Sequence, residues 1–493
     1  MHGFVPSSDV ILNRLPGDGS VYQKLFRSAE SDDRYVNRYT KESPLQAALF
    51  LCKIKAMNPT QENRFRNKIN WYVFLMSLLV VLIHSVNLAI DNTTLSSMIL
   101  TADHTGAALA GITGVAGHVE HLLSNALGQM AVPGFFLISG YLFFRTLHGF
   151  RDIGRKWQER VWSLLVPYGA WNVLWYLAYV LTGRRHFSLT AMSEAAANHS
   201  CNPTFWYMYQ LMLLTLLAPL LYLLLRNAFV MLLSLLLLAA AIGAGATLPL
   251  VNADALIYYG VGALFACHGR RLFEGAAADA RLLRKAMPGD VKGEAEIVVL
   301  PAAAKARQRR SSMERGCRIA GIGLLLLAWL LQILTPAKLV SFVLYDGSGI
   351  ARMSMPAYLM SGGALARWIG KGLQQLPLFV LSLSGSGPQA LVAIVRRLLL
   401  VLGVWFVLPG DRLPEAKPYM KNSFFLYAVH YPIARAQYYM IQYLGIPYDG
   451  WGEAVRLALY LLTPVFAVAA AYGLKRVLKR YLPLQWKILS GGR

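Results

Sequence analysis

At 493 residues with 56% apolar and 12% aromatic side chains, and with a mean hydropathy of +0.43, the chain lies outside the range of soluble globular domains. Its formal charge of +23 does not indicate nucleic acid, because Lys and Arg stand in short segments flanking apolar runs and no base-reading motif accompanies them. Four cysteines, Cys52, Cys201, Cys267 and Cys317, are widely spaced without a CxxC pair, which supports neither a disulfide framework nor a zinc site.

The first 60 residues are polar and mixed in charge, and the apolar patch from Leu45 to Cys52 is too short for a leader. Insertion is therefore expected to start from an internal span. From residue 71 to residue 475, apolar runs of about 18 to 20 residues recur, each long enough as a helix to cross a hydrocarbon core about 30 Å thick. Helices are expected at about 71–90, 123–144, 162–182, 205–225, 228–247, 254–268, 319–336, 389–408, 422–444 and 455–474. The fold class is all-α, a polytopic transmembrane bundle of about ten helices. Residues 1–66 read as a polar, poorly ordered N-terminal segment, 67–475 as the membrane domain with a basic, poorly structured loop at 269–318, and 476–493 as a basic tail.

Loop charges set the expected orientation. Lys53, Lys55, Arg64, Arg66 and Lys68 precede the first span, and Arg145, Arg151, Arg155, Lys156 and Arg160 separate the second from the third. Those ends, and the tail with Lys475, Arg476, Lys479 and Arg480, are expected in the cytoplasm. The stretch from Asp91 to His121 has no Lys or Arg, and the loop near Asp449 and Glu453 is acidic, so both are expected outside. Residues 337–388 fit least well, being external in this scheme yet carrying Lys338, Arg352, Arg367 and Lys371. No inverted internal repeat of the transporter kind is visible.

In the first span an apolar run ends in His84, and Asn87 follows on the same helix face. An imidazole at that depth is costly unless it faces a polar cavity or partner. It suits proton chemistry near neutral pH, or it hydrogen-bonds a neighbouring helix and fixes packing. In the second span Pro133 and Gly134 are expected to break the helix and free backbone groups. Ser139 and Gly140 are small, which by itself more often means close helix packing. Arg160 stands one turn before Ser163 at the membrane boundary, where a planar guanidinium can hold a phosphate or carboxylate; for Arg145 and Lys156 the positive-inside rule is explanation enough. Asn202 to Gln210 reads as an interfacial aromatic belt. His430 in the ninth span, with Tyr427 one turn earlier, is a second intramembrane imidazole, and two from distant spans suggest one polar interior. Arg396 and Arg397 are too expensive to face lipid. Absent P-loop, dinucleotide, HExxH and kinase motifs leave ATP hydrolysis, dinucleotide chemistry and zinc proteolysis without support.

Six segments in this order resemble the acyltransferase 3 family of integral membrane proteins: LVVLIHS at 79–85, VPGFFLISGYL at 132–142, RVWSLLVPY at 160–168, TFWY at 204–207, YYGVG at 258–262 and SFFLYAVH at 423–430. The resemblance covers about residues 67–475. It implies transfer of an acetyl or other short acyl group to a hydroxyl of a carbohydrate or cell-envelope glycan. It also implies acyl-CoA (acetyl-CoA) as co-substrate, no tightly bound cofactor, and a plasma-membrane location with both termini cytoplasmic. His84 corresponds to the family's catalytic histidine and Arg160 to a required arginine at the start of the third helix. On that footing His84 acts as base or nucleophile, and Asn87 or an amide near Pro133 and Gly134 stabilises the oxyanion. Arg160, Arg145 and Lys156 hold CoA phosphates, while Ser139 and His430 line the substrate site. The sequence departs from the family where many sugar O-acetyltransferases carry an Arg three turns before the histidine, for Val73 stands there. Without the resemblance, a carrier of a carbohydrate or small acid using the same His and Arg residues, or a scaffold binding anionic lipid, fits the residues as well.

Overall fold

A computed structural model describes residues 44–85, 114–147, 149–248, 250–274, 295–333, 386–410, 412–443 and 453–492. Among them every regular element is helical. The first, α1 (Pro44–Ser85), opens on a proline, whose fixed φ and missing N–H suit a helix's first turn. It begins well before the expected order at 67, because its polar first half continues directly into the apolar span. Then come α2 (Gly114–Glu120), a π-helical stretch (His121–Leu127), a 3-10 turn (Gly128–Met130) and α3 (Ala131–Arg145). The break lies upstream of Pro133 rather than at it. Pro133 is the third residue of α3, within the first turn, where a missing N–H costs least. The irregular stretch falls where Gly128 passes the Ile83 side chain so closely that an added Cβ would sit 2.7 Å from it.

The chain continues through α4 (Arg151–Arg160), a π turn (Val161–Leu165), α5 (Val166–Leu181), α6 (Leu189–Ala197) and a 3-10 turn (Pro203–Phe205). Next are α7 (Trp206–Leu216) and α8 (Ala218–Leu224), which meet at a bend of 56°. Pro219 causes the bend: it has no N–H to give the Thr215 carbonyl four residues back. The Trp157 indole N–H takes that place, 2.9 Å from the Thr215 oxygen, and so ties α4 to the bend. Beyond lie α9 (Ala228–Gly243), α10 (Ala253–Cys267), α11 (Arg270–Glu274), α12 (Ala295–Ile333), α13 (Ser386–Val407), α14 (Ser423–Tyr443), α15 (Glu453–Tyr481) and α16 (Pro483–Ser490). Residues 295–318, expected to be poorly structured, form the first part of α12.

The expected spans are helical over most of their described residues, but the fourth is interrupted at Leu217 and the fifth ends at Gly243, short of the expected 247. Among the described residues, five helices are long and apolar enough to cross a membrane, or six if the bent α7 and α8 count as one, while α9 and α10 are apolar but shorter. The chain is an integral membrane protein. Its tightest crossing joins α3 to α10, where Cβ atoms on Gly140 and Gly262 would sit 2.1 Å and 2.0 Å from the Tyr259 and Leu137 carbonyl oxygens. Small residues at such a crossing let two backbones touch where there is no water to drive association. Helices α14 and α15 pack on each other and on α1, and α12 pairs with α13. The last helix, α16, folds back onto α5, where the Trp171 indole donates to the Leu489 carbonyl at 3.0 Å. Of the expected outer segments, residues 337–385 and 91–113 lie outside the described residues, while 386–388 open α13 and 114–121 form α2 and the first residue of the π-helical stretch.

Candidate functional site

His84 is the penultimate residue of α1, and α14 runs beside it in the same direction. Tyr419, just before α14, packs against Phe74 at 5.7 Å. About three turns further along both helices, the His430 ring lies 5.1 Å from the His84 ring, tilted by 45°. Tyr431 meets His84 edge-on at 5.5 Å. Two imidazoles that are expensive one by one are thus brought together between two helices.

His430 is fully buried, with its Nδ1 2.6 Å from the Tyr427 carbonyl oxygen. A carbonyl only accepts, so Nδ1 carries the hydrogen and Nε2 holds the lone pair. That Nε2 is buried with no hydrogen-bond partner among the described residues, and so is Nδ1 of His84. Pro432 follows two residues later and leaves the Ala428 carbonyl without its helical N–H, loosening the turn that presents His430.

Tyr427 donates its hydroxyl to the Thr204 carbonyl and meets the Tyr207 ring edge-on at 5.5 Å. The Tyr207 hydroxyl is 3.3 Å from Ser139 Oγ, and Phe136 packs against its ring at 4.8 Å. The Thr204 hydroxyl donates to Asn202 Oδ1 at 2.6 Å. The aromatic segment expected as an interfacial belt therefore enters the protein interior, with Phe205 and Met208 fully buried. Its opening residues Asn202 and Thr204 are buried and bond each other. Phe143, one turn along α3 from Ser139, carries the Arg160 guanidinium over its ring at 5.8 Å. Two rows of contacts, Arg160 with Phe143 and Ser139 through Tyr207, Tyr427 and His430 to His84, meet one turn apart on α3.

Arg145 is placed differently from Arg160. Its guanidinium forks onto Glu62, with Nη2 at 2.6 Å from Oε2 and Nη1 at 3.1 Å from Oε1. Its Nε reaches Glu274 Oε1 at 2.6 Å. Glu274 also accepts from the Tyr141 hydroxyl at 2.6 Å and from Arg270 at 2.9 Å. The guanidinium lies over Phe65 at 4.7 Å, beside a stack of Tyr141, Phe273 and Trp405. With two carboxylates satisfying it, Arg145 clamps α1, α3 and α11 together. Lys156 is paired with Glu159 at 3.1 Å. Asn87 lies outside the described residues. Gly134, expected to free an amide, lies within α3, where an added Cβ would sit 2.9 Å from Met76 and 3.0 Å from the Tyr72 hydroxyl. It is a packing contact with α1.

Arg397 is held inside the bundle by Gln129 Oε1 at 2.8 Å and Asp254 at 3.5 Å. Sequence reasoning missed the surroundings of His84 beyond His430. Arg435 extends over the Tyr431 ring at 5.9 Å, and Ser124 bridges the Leu82 carbonyl at 3.0 Å and the Tyr460 hydroxyl at 2.6 Å. The cost of an arginine within a span was signal enough for Arg435; nothing local marks Ser124 or Tyr460.

Fold and site together define a helical membrane protein with a histidine pair, His430 fully buried and His84 half-buried, at the end of a row of polar and aromatic side chains. The acyltransferase domain of the acyltransferase 3 family matches residues 68–474, and the chain belongs to that family. It is a membrane acyltransferase. No curated protein and no solved structure matches it.

Proposed function

We propose that the protein moves an acetyl or other short acyl group from acyl-CoA to a hydroxyl of a carbohydrate or cell-envelope glycan, with His84 as the reacting side chain. The observation that carries this reading is the pair of side-chain rows between Arg160 and His84. Among the described residues no carboxylate pairs with Arg160 as Glu62 and Glu274 pair with Arg145, so its guanidinium remains for the CoA phosphates. Lys156, shared with Glu159, takes a lesser part. The pantetheine arm then runs along Phe143, Ser139 and Tyr207, surfaces that are apolar with isolated hydroxyls.

At the His84 end the acceptor hydroxyl gives its proton to the imidazole as its oxygen attacks the thioester carbonyl. The carbon–oxygen bond forms, the carbon–sulfur bond breaks, and the thiolate takes the proton back from the imidazolium to leave as free CoA thiol. Tyr431 and Arg435 stand beside His84, and a cation there suits the negative charge that develops on the carbonyl oxygen. Asn87, three residues on, belongs to the same proposal. The basic ends of the spans support an orientation with both termini on the cytoplasmic side of the plasma membrane, the side where acyl-CoA is made. No tightly bound cofactor is needed for this chemistry.

The test supplies purified protein in lipid vesicles with acetyl-CoA labelled in its acetyl group and with free sugars or isolated envelope glycan. Label in the glycan with equal release of CoA thiol is the expected result. Movement of sugar across the vesicle without thiol release would replace the reading with a carrier.

A further inference from the structure

The histidine pair raises a question the acyl-transfer reading leaves open: why a second imidazole stands against His84 when one suffices as a base. Three facts bear on it. The Tyr427 carbonyl fixes the hydrogen of His430 on Nδ1. That leaves a lone pair on Nε2, in a fully buried ring, with no partner among the described residues. The neighbouring ring, 5.1 Å away between centroids, has its own buried partnerless nitrogen in Nδ1 of His84. Each orphan is what the other lacks. A buried nitrogen without a bond costs free energy, and with the ring centroids 5.1 Å apart a turn of the His84 ring brings its Nδ1 toward the His430 lone pair while His430 keeps its bond to Tyr427.

We propose that His430 is a positioning residue for His84, its Nε2 lone pair accepting the hydrogen of His84 Nδ1. The bond holds His84 in the tautomer whose Nε2 is bare and faces the acceptor hydroxyl, and it disperses charge while His84 is an imidazolium. No proton passes to His430. The hydroxyl proton goes to His84 Nε2 and from there to the leaving thiolate, so the pair ends each turnover as it began. The carbonyl of Tyr427 plays the part of the third group that orients the orienting base, as the last member of a catalytic triad does. Tyr431 on the edge of His84, with Arg435 over it, offers no competing acceptor ring nitrogen. The inference rests on the acyl-transfer reading of His84 for its purpose, though not for its geometry.

Two variants separate positioning from mere packing. In His430→Asn the side-chain amide still donates to the Tyr427 carbonyl but nothing reaches His84. In His430→Gln the longer side chain puts an oxygen acceptor near the place of Nε2. The expected result is a fall in kcat of about tenfold or more in His430→Asn, with KM for acyl-CoA unchanged, and partial recovery in His430→Gln. A readout that needs no substrate is the rate at which diethyl pyrocarbonate modifies His84 in the full-length protein, followed by mass spectrometry. That rate should fall in His430→Asn and recover in His430→Gln. Equal rates in wild type and both variants, or a His430→Asn protein that fails to fold, would overturn positioning in favour of packing. Absence of label transfer by the wild type, with this pattern of His84 reactivity intact, would count against the acyl-transfer reading and leave the pairing standing.

Discussion

Replacing Arg145 with alanine separates a structural clamp from a donor site. The side chains of Arg145 and Glu274 are 12% and 6% exposed, whereas Glu62 is 32% exposed. Most of the loss therefore falls on Glu274, which would keep its burial and its bond from Tyr141 while losing its closest cation. Removing one partner of a buried ion pair costs about 3–5 kcal/mol when the other charge is left alone; Glu274 keeps Arg270 at 2.9 Å, so the loss falls below that range, and the more exposed Glu62 contact adds little after screening by solvent. Arg145→Ala should therefore lower the melting temperature of the detergent-solubilised protein, read by loss of the monodisperse peak after heating. Its KM for acyl-CoA, taken at a temperature where it remains folded, should stay at the wild-type value. Arg160→Ala should do the reverse, raising KM without shifting the melt. Combining Arg145→Met with Glu274→Gln should restore part of the stability, since it removes both buried charges. An Arg145→Ala protein as stable as wild type with a raised KM would refute the clamp and return Arg145 to the donor site.

Two further variants test how the helices are held. Gly140→Val would drive its side chain into the Tyr259 carbonyl, which an added Cβ already meets at 2.1 Å; overpacking of this kind costs about 1–3 kcal/mol or more. The expected outcome is poor recovery of folded protein, and wild-type yield and melting would show that α3 and α10 do not cross there. Trp157→Phe removes the indole N–H from the Thr215 carbonyl at the bend made by Pro219. Leaving that oxygen unmet costs about 1–3 kcal/mol, and because Trp157 lies three residues before Arg160, KM for acyl-CoA should rise as well. A lowered melt with an unchanged KM would detach the bend from donor binding.

Much of this architecture is legible from residue costs alone. An imidazole or a guanidinium in hydrocarbon must find a partner, and His84, His430 and Arg397 each point inward for that reason. Those costs do not say which partner. The carboxylates that claim Arg145 come from residues 83 and 129 positions away, and Glu62 stands before the apolar run, where it reads as ordinary loop charge. The aromatic segment at 204–207 misleads in the opposite sense. Aromatics at the end of a span usually face the headgroups, but Pro203 turns this end inward so that Tyr207 reaches Ser139 and Tyr427. Pro133 signals a break by its type, while the break itself sits where Gly128 yields to Ile83, a contact between two helices that neither local sequence announces. The six family segments succeed because several are also contact surfaces: Gly140 with Tyr259, Thr204 with Tyr427, and His84 with His430.

The central claim is that His84 carries acyl transfer. It is tested most directly by incubating the reconstituted protein with acetyl-labelled acetyl-CoA and glycan, and comparing wild type with His84→Ala at matched amounts of folded protein. Removing a positioned base lowers the rate by about 10²–10⁴-fold. The account predicts a loss of label transfer of that size with acyl-CoA still bound. Transfer at the wild-type rate by His84→Ala would contradict it.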